Sequence, residues 1–246
     1  MIFDGHSDIF SDVRYKREAG ETQVLKNHHL DRLRKGGIGG ACFVIWADTY
    51  NGHAPKDEME AIVKGIKGEM AETKEFVLIH NVEELKAAEA AGKFAILLGI
   101  EGLAGIGEDL SKIDELYDLG ARHAMLTWNE ENALATGVKG DPNRGVTELG
   151  KQAIKKLQEK KMILDVSHIN EKSFWDVIDL AIGPILASHS NAKALASAAR
   201  NLTDDQLRAI RDTNGLVGLN AFGDFISDNK AEQDVDHLVN HATYIA

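Results

Sequence analysis

One histidine–carboxylate pair, a lone carboxylate and a repeated dipeptide are where this sequence can do chemistry. In FDGHSDIF, His6 and Asp8 stand two residues apart. On an extended segment that spacing aims both side chains to one side. An imidazole and a carboxylate directed at one point can share a divalent metal. A plainer reading stays open, with His6 hydrogen-bonded in the core and Asp8 capping the next helix. Glu101 ends the apolar run LLGIEG. A carboxylate at a buried strand end is costly unless it meets a cation, which implies a metal or an arginine; its two oxygens could bridge two metals. The alternative is a strand end facing solvent. His168 closes MILDVSH and His189 closes ILASH, so consecutive apolar runs each end in Ser-His. Either histidine alone reads as a satisfied interior residue, but the repetition at matching positions favours a shared Zn²⁺ ion. Asp165, upstream on the run that ends at His168, is a candidate supporting partner, although strand alternation does not name its contact.

The other candidates carry less. His28, His29 and His53 lie in polar, loop-like stretches, His80 follows an apolar run and His123 begins one. His237 and His241 have helical spacing but lack the Glu of an HExxH motif, so they read as surface residues. Cys42, the single cysteine, opens the apolar run CFVIW and reads as a buried thiol rather than a nucleophile. GGIGG at 36 to 40 precedes a strand instead of following one, which removes a dinucleotide loop. No Gly-rich loop ending in Lys-Ser/Thr is present, so the common phosphate-cradling NTPase is excluded as well.

The elements that must position these residues are short β-branched runs alternating with helical patterns, the signature of βαβ units around a parallel sheet. Seven strands are predicted, at 2 to 6, 40 to 46, 95 to 101, 123 to 128, 162 to 168, 185 to 189 and 215 to 221, and FVLIH at 76 to 80 is a peripheral strand or connector. In a parallel barrel the C-terminal strand ends meet on one face, which would gather His6, Asp8, Glu101, His168 and His189. Helices are predicted over 56 to 74, with Met59, Ile62, Val63, Ile66 and Met70 on one face, and over 147 to 160, with Leu149, Ala153, Ile154 and Leu157. Thr147 and Thr203, each followed by acidic residues, mark helix starts.

Composition agrees. With 246 residues, 43% hydrophobic and 27% charged, the chain can bury a sizeable core, and about 250 residues suit one α/β barrel. A formal charge of -11 argues against nucleic acid or an anionic membrane as partner. The lone cysteine excludes an intrachain disulfide, and neither a long apolar span nor a signal-peptide pattern is present, so a cytoplasmic location is expected. Three prolines, no low-complexity segment and no compositional break point to one domain over 1-246.

Taken together and in order, FDGHSDIF, LDRLRKGGIGGACFVIWA, LGIEG, AMLTWNEENALATG, TELGKQAIKKLQEKKMILDVSHIN, ILASHSNAKAL and ARNLTDDQLRAI resemble the corresponding blocks of the renal (membrane) dipeptidase family, peptidase family M19. The blocks run from residue 2 to about residue 222. The resemblance implies an α/β fold, a (β/α)8 TIM-type barrel of the metal-dependent hydrolase kind, with two zinc ions. It implies that His6 and Asp8 hold one zinc, that His168 and His189 hold the other, and that Glu101 bridges them and is catalytic. It further implies that Arg200, in SAARNLTDD, grips the terminal carboxylate of the substrate, a role suited to a planar guanidinium. Trp128 and Asn129 occupy the region where mammalian members have a substrate-contacting His, and Phe222 stands where they have a Tyr, so these three are expected to line the substrate site.

The family's late GxGSDFDG block, with its proton-transfer Asp, has no counterpart here; FGDFIS at 222 to 227 comes too early, and Asp224 is not given that role. The expectation is therefore a barrel lacking its last strand and helix, a segment of about 60 residues. The expected activity is hydrolysis of small dipeptides by metal-activated water. The alternatives are another amidohydrolase-type reaction on an amide or lactam, and a noncatalytic metal-binding barrel. The expected partner is a dipeptide, with a second copy of the chain, a homodimer, left open.

Overall fold

Apolar runs become parallel strands throughout. In the computed structural model, which describes residues 1–47 and 52–246, the elements fall into two compact units, Met1–Ala124 and Met125–Ala246. Unit 1 runs β1 (Ile2–Ser7), α1 (Ile9–Glu18), a π-helical turn (Leu25–Leu30), α2 (Asp31–Lys35), β2 (Ile38–Trp46), α3 (Pro55–Glu72), β3 (Phe76–Ile79), α4 (Val82–Ala90), β4 (Phe94–Glu101), α5 (Lys112–Leu119) and the start of β5 (His123–Met125). Its strands are parallel in the order β1-β2-β4-β5. β3 pairs with the N-terminal half of β4, from Phe76 opposite Phe94 to Ile79 opposite Leu97, so the run at 76 to 80 is a peripheral strand.

β2 and β4 are continuous apolar stretches because both of their faces are covered. Phe43, Val44, Ile45, Ile96, Leu98 and Ile100 are fully buried. Phe10 from α1 meets Phe43 edge to face at 5.4 Å, and Phe43 stacks on Phe94 at 5.6 Å. Each such ring contributes roughly 1.5–3 kcal/mol through burial. α3 starts with Pro55 in its first turn and buries Met59, Ile62 and Ile66 as its periodicity predicts, with Val63 and Met70 half-buried.

Unit 2 runs α6 (Glu148–Glu159), β6 (Ile163–Asp165), α7 (Glu171–Leu180), β7 (Ile185–Ala187), α8 (Asp204–Asp212), β8 (Leu216–Val217), α9 (Gly223–Ile226) and α10 (Val235–Ile245). β6, β7 and β8 are parallel neighbours in that order. The Thr147 hydroxyl accepts from the Gly150 N–H, and Thr203 with Gln206 forms a capping box, which confirms both helix starts. These strands are shorter than the apolar runs suggest. Beyond Asp165, the Ser167 N–H turns to the Asp165 carboxylate instead of a neighbouring strand, so the ladder stops before the polar residues. Gly218 follows β8 where a Cβ would lie 2.1 Å from the Ser188 carbonyl oxygen, an approach only glycine permits.

Two histidine expectations change. His29 is buried in the π-helical turn, held by Asp12 at 2.8 Å and Arg32 at 2.9 Å, because the turn rotates it inward. His241 is fully buried: its Nδ1 accepts from the Ala192 N–H and its Nε2–H donates to the Ile226 carbonyl. Among the described residues, no helix is long and apolar enough to cross a membrane.

Candidate metal centre

Each unit presents one polar cluster at the C-terminal ends of its strands. In unit 1, Glu101 is the last residue of β4, directly opposite Trp46 of β2, and His6 lies near the end of β1. His6 Nε2 is 3.3 Å from Glu101 Oε2 and 3.6 Å from Asp8 Oδ1. His6 and Glu101 are almost enclosed, whereas the Asp8 side chain remains about half exposed, at 55%. Tetrahedral zinc, with bonds of about 2.1 Å to nitrogen and oxygen, sets neighbouring donors about 3.4 Å apart. One imidazole nitrogen and two carboxylate oxygens at these separations fit such an ion.

The protons respond to the same crowding. Burial disfavours the His6 imidazolium, but hydrogen bonds to Asp8 and Glu101 and their charges outweigh it and push its pKa up to about 11. Burial raises Glu101 to about 7, with His6 pulling the other way. Asp8 is held below its usual range: desolvation is the largest influence and opposes the shift, and His6 overcomes it. The cluster therefore shares a proton where a cation fits.

In unit 2, His168 and His189 face each other with Nε2 atoms 2.7 Å apart and ring centroids at 4.8 Å. That is the distance of an N–H···N hydrogen bond, and an ion between the same two nitrogens requires the rings to part by roughly 0.7 Å. His189 Nδ1 lies 2.8 Å from Ser188 Oγ. His168 Nδ1 lies 2.9 Å from Asn129 Oδ1 and 3.1 Å from Arg200 Nε. A protonated Nδ1 donates to Asn129, while a bare one accepts from Arg200. Ligation through Nε2 would keep the proton on Nδ1 and so would favour the Asn129 contact. His168 also adopts φ 70, a left-handed conformation unusual for a non-glycine residue, secured by the bond from Val138 N–H to its carbonyl. Strain of this kind is retained where a side chain must be aimed.

Arg200 is buried, with Nη2 donating to the His189 carbonyl at 3.2 Å and Nη1 to Ser190 Oγ at 3.4 Å. Its guanidinium carbon lies 5.6 Å from the centre of the Phe225 ring.

A family model described as membrane dipeptidase (peptidase family M19) matches residues 1–246. The chain belongs to this family. It is 30% identical to a protein of Acinetobacter calcoaceticus named "Uncharacterized protein in PQQ-III 3'region", over 99% of this chain and 88% of that protein. Among solved structures it is similar to a metallo peptidase from Rhodobacter sphaeroides liganded with a phosphinate mimic of the dipeptide L-Ala-D-Ala. The TM-score is 0.88 at 25% identity, over 99% of this chain and 81% of that one. The dipeptidase AC, a metallo peptidase of family M19, matches with the same TM-score of 0.88 and 25% identity, over 99% and 80%. The fold class is thus α/β of the TIM-type barrel kind seen in M19 dipeptidases, and membership with these neighbours supports a metal-dependent hydrolase.

The half-buried Trp128 has its ring 5.9 Å from that of His168. Asn129 contacts His168 itself. Phe222 is 59% exposed and packs on Phe225 at 5.0 Å, so its link to the histidine pair runs through the ring beneath Arg200. Sequence reasoning did not assign Ser167 and Ser188 a task. Their signal was the repeated Ser-His itself, which places a small hydroxyl beside each histidine.

Proposed function

We propose that this chain hydrolyses the peptide bond of small dipeptides with two zinc ions, one held by His6, Asp8 and Glu101 and the other by His168 and His189. The observation that carries the reading is the donor geometry in unit 1. A buried imidazole nitrogen faces two carboxylate oxygens at 3.3 and 3.6 Å, the separations a tetrahedral ion requires. The ligand of the Rhodobacter sphaeroides peptidase, a dipeptide mimic, supports the substrate class. When bound, such ions lower the pKa of water and polarise a carbonyl group.

The chain's own residues supply the rest. His6 must surrender the proton it shares with Glu101 and Asp8 before it can ligate. His168 keeps its Nδ1 proton directed at Asn129, which holds the ring's orientation. Arg200, whose Nε lies 3.1 Å from His168 Nδ1, is the residue that would meet a substrate carboxylate, a group that a guanidinium suits. Trp128, beside His168, offers an apolar wall. One family model spanning both units supports 1–246 as one domain.

The test is a panel of dipeptides, acyl-amino acids and lactams assayed on zinc-loaded protein, before and after chelation. Chelator-sensitive turnover confined to dipeptides is expected. Turnover of lactams or acyl-amino acids without dipeptides overturns the substrate assignment, and zinc binding without hydrolysis of any amide overturns the enzyme.

A further inference from the structure

We propose that Asp165 is a positioning residue that sets the spacing and aim of His168 and His189, acting through the serine before each. The proposal rests on the reading of those histidines as metal ligands. The β6–β7 ladder ends with Asp165 opposite Leu186 and one further bond from the Val166 N–H to the Leu186 carbonyl. Past that point the backbone must turn both histidines inward. The two serine N–H groups that follow are buried, and a buried donor left without an acceptor is destabilising.

The Asp165 carboxylate, 2% exposed, takes over where the strands stop. Its Oδ1 accepts from the Ser167 N–H at 2.8 Å. Both of its oxygens lie 3.3 Å from the Ser188 N–H. Ser167 extends the brace, since its Oγ accepts from the His189 N–H at 3.3 Å. Ser188 Oγ in turn contacts His189 Nδ1. One carboxylate thus holds the residue preceding each ligand, and the two loops cannot drift apart without breaking charge-assisted hydrogen bonds. Partners of this kind, outside direct contact with an ion, commonly govern its affinity by about 10–100-fold.

D165N keeps the shape of the side chain but turns an N–H donor toward one of the two serine N–H groups. We expect it to weaken the ion at His168 and His189 by about 10–100-fold in chelator competition, with the ion at His6, Asp8 and Glu101 unchanged. The cobalt-substituted protein should also show altered d–d absorption from the histidine-bound ion. The control is S173A, which removes a buried hydroxyl that accepts from the Thr136 N–H and does not contact either Ser-His pair in this network. It should lower stability without moving either affinity.

If D165N loses stability as S173A does while both ions bind as in the parent, Asp165 only satisfies buried N–H groups and the proposal fails. A fall shared equally by both ions also overturns it. Should D165N not reach a folded state, S167A tests the brace through the His189 N–H: a fall confined to the same ion supports it, and unchanged affinity refutes it. A parent protein that binds no ion at the histidine pair refutes the ligand reading itself, and this proposal with it.

Discussion

His6 shows how a single residue ties metal to proton. A histidine binds zinc as the neutral imidazole, yet the carboxylates of Asp8 and Glu101 hold the His6 imidazolium to a pKa of about 11. At neutral pH the imidazole is therefore charged, and zinc uptake must expel its proton. Glu101, raised to about 7, is partly protonated there and adds a fraction of a second. The apparent zinc affinity of this site should consequently rise with pH through the neutral range and level off only near the His6 pKa. Calorimetry at pH 7 in buffers of different ionisation enthalpy should count at least one proton released for the ion in unit 1. A count of zero means that His6 is not a ligand.

Between elements, the join of α1 to α3 depends on charges inside the core. Glu69 is fully buried on α3, where its carboxylate accepts from Arg17 at 3.0 Å, from the Leu25 N–H at 2.8 Å and from the Thr73 hydroxyl at 2.8 Å. Arg17 also forks onto Glu72 at 2.8 and 2.9 Å, which holds that carboxyl down at about 2. Removing one member of a buried pair leaves the other charge unsatisfied, which costs about 3–5 kcal/mol. Arg17 keeps some exposure and a second partner, Glu72, when Glu69 is removed, whereas R17A strands a fully buried carboxylate, so R17A should cost at least as much as E69A. We expect at least about 3 kcal/mol for E69A in urea unfolding, because it also orphans the Leu25 N–H and the Thr73 hydroxyl. Equal, small losses for the two variants would show that the network is not what joins these helices.

For the whole chain, a ligand that binds only the folded state adds stability by mass action. Zinc at 100 times its dissociation constant is worth about 2.7 kcal/mol per ion. The unfolding midpoint should therefore climb with free zinc and fall back on chelation, and H168N should keep only the increment from unit 1. Asparagine tolerates the left-handed backbone at position 168, so this variant removes the imidazole without forcing a new conformation. Zinc-independent unfolding of the parent would remove both proposed ions. The net charge of -11 acts at this scale too, since it favours cation uptake over binding of polyanions.

Much of this is legible in the sequence. The strand at 40 to 46, the helix near 56 to 74 and the capping threonines are local facts, because apolar periodicity and cap oxygens act within a few residues. The candidate ligands were legible for a related reason: polar residues ending apolar runs are costly unless used, and their family blocks occur in order. What only the folded chain revealed is partnership. Asp165 was visible on its strand, but its hold on Ser167 and Ser188 depends on β7 lying beside β6. His241 reads as a surface residue in the sequence, and its burial depends on the backbone of Ala192 and Ile226 arriving from distant positions, as that of Glu58 and Glu69 depends on Arg14 and Arg17. A sequence records how costly a buried charge is, while the packing of remote segments supplies the group that offsets the cost.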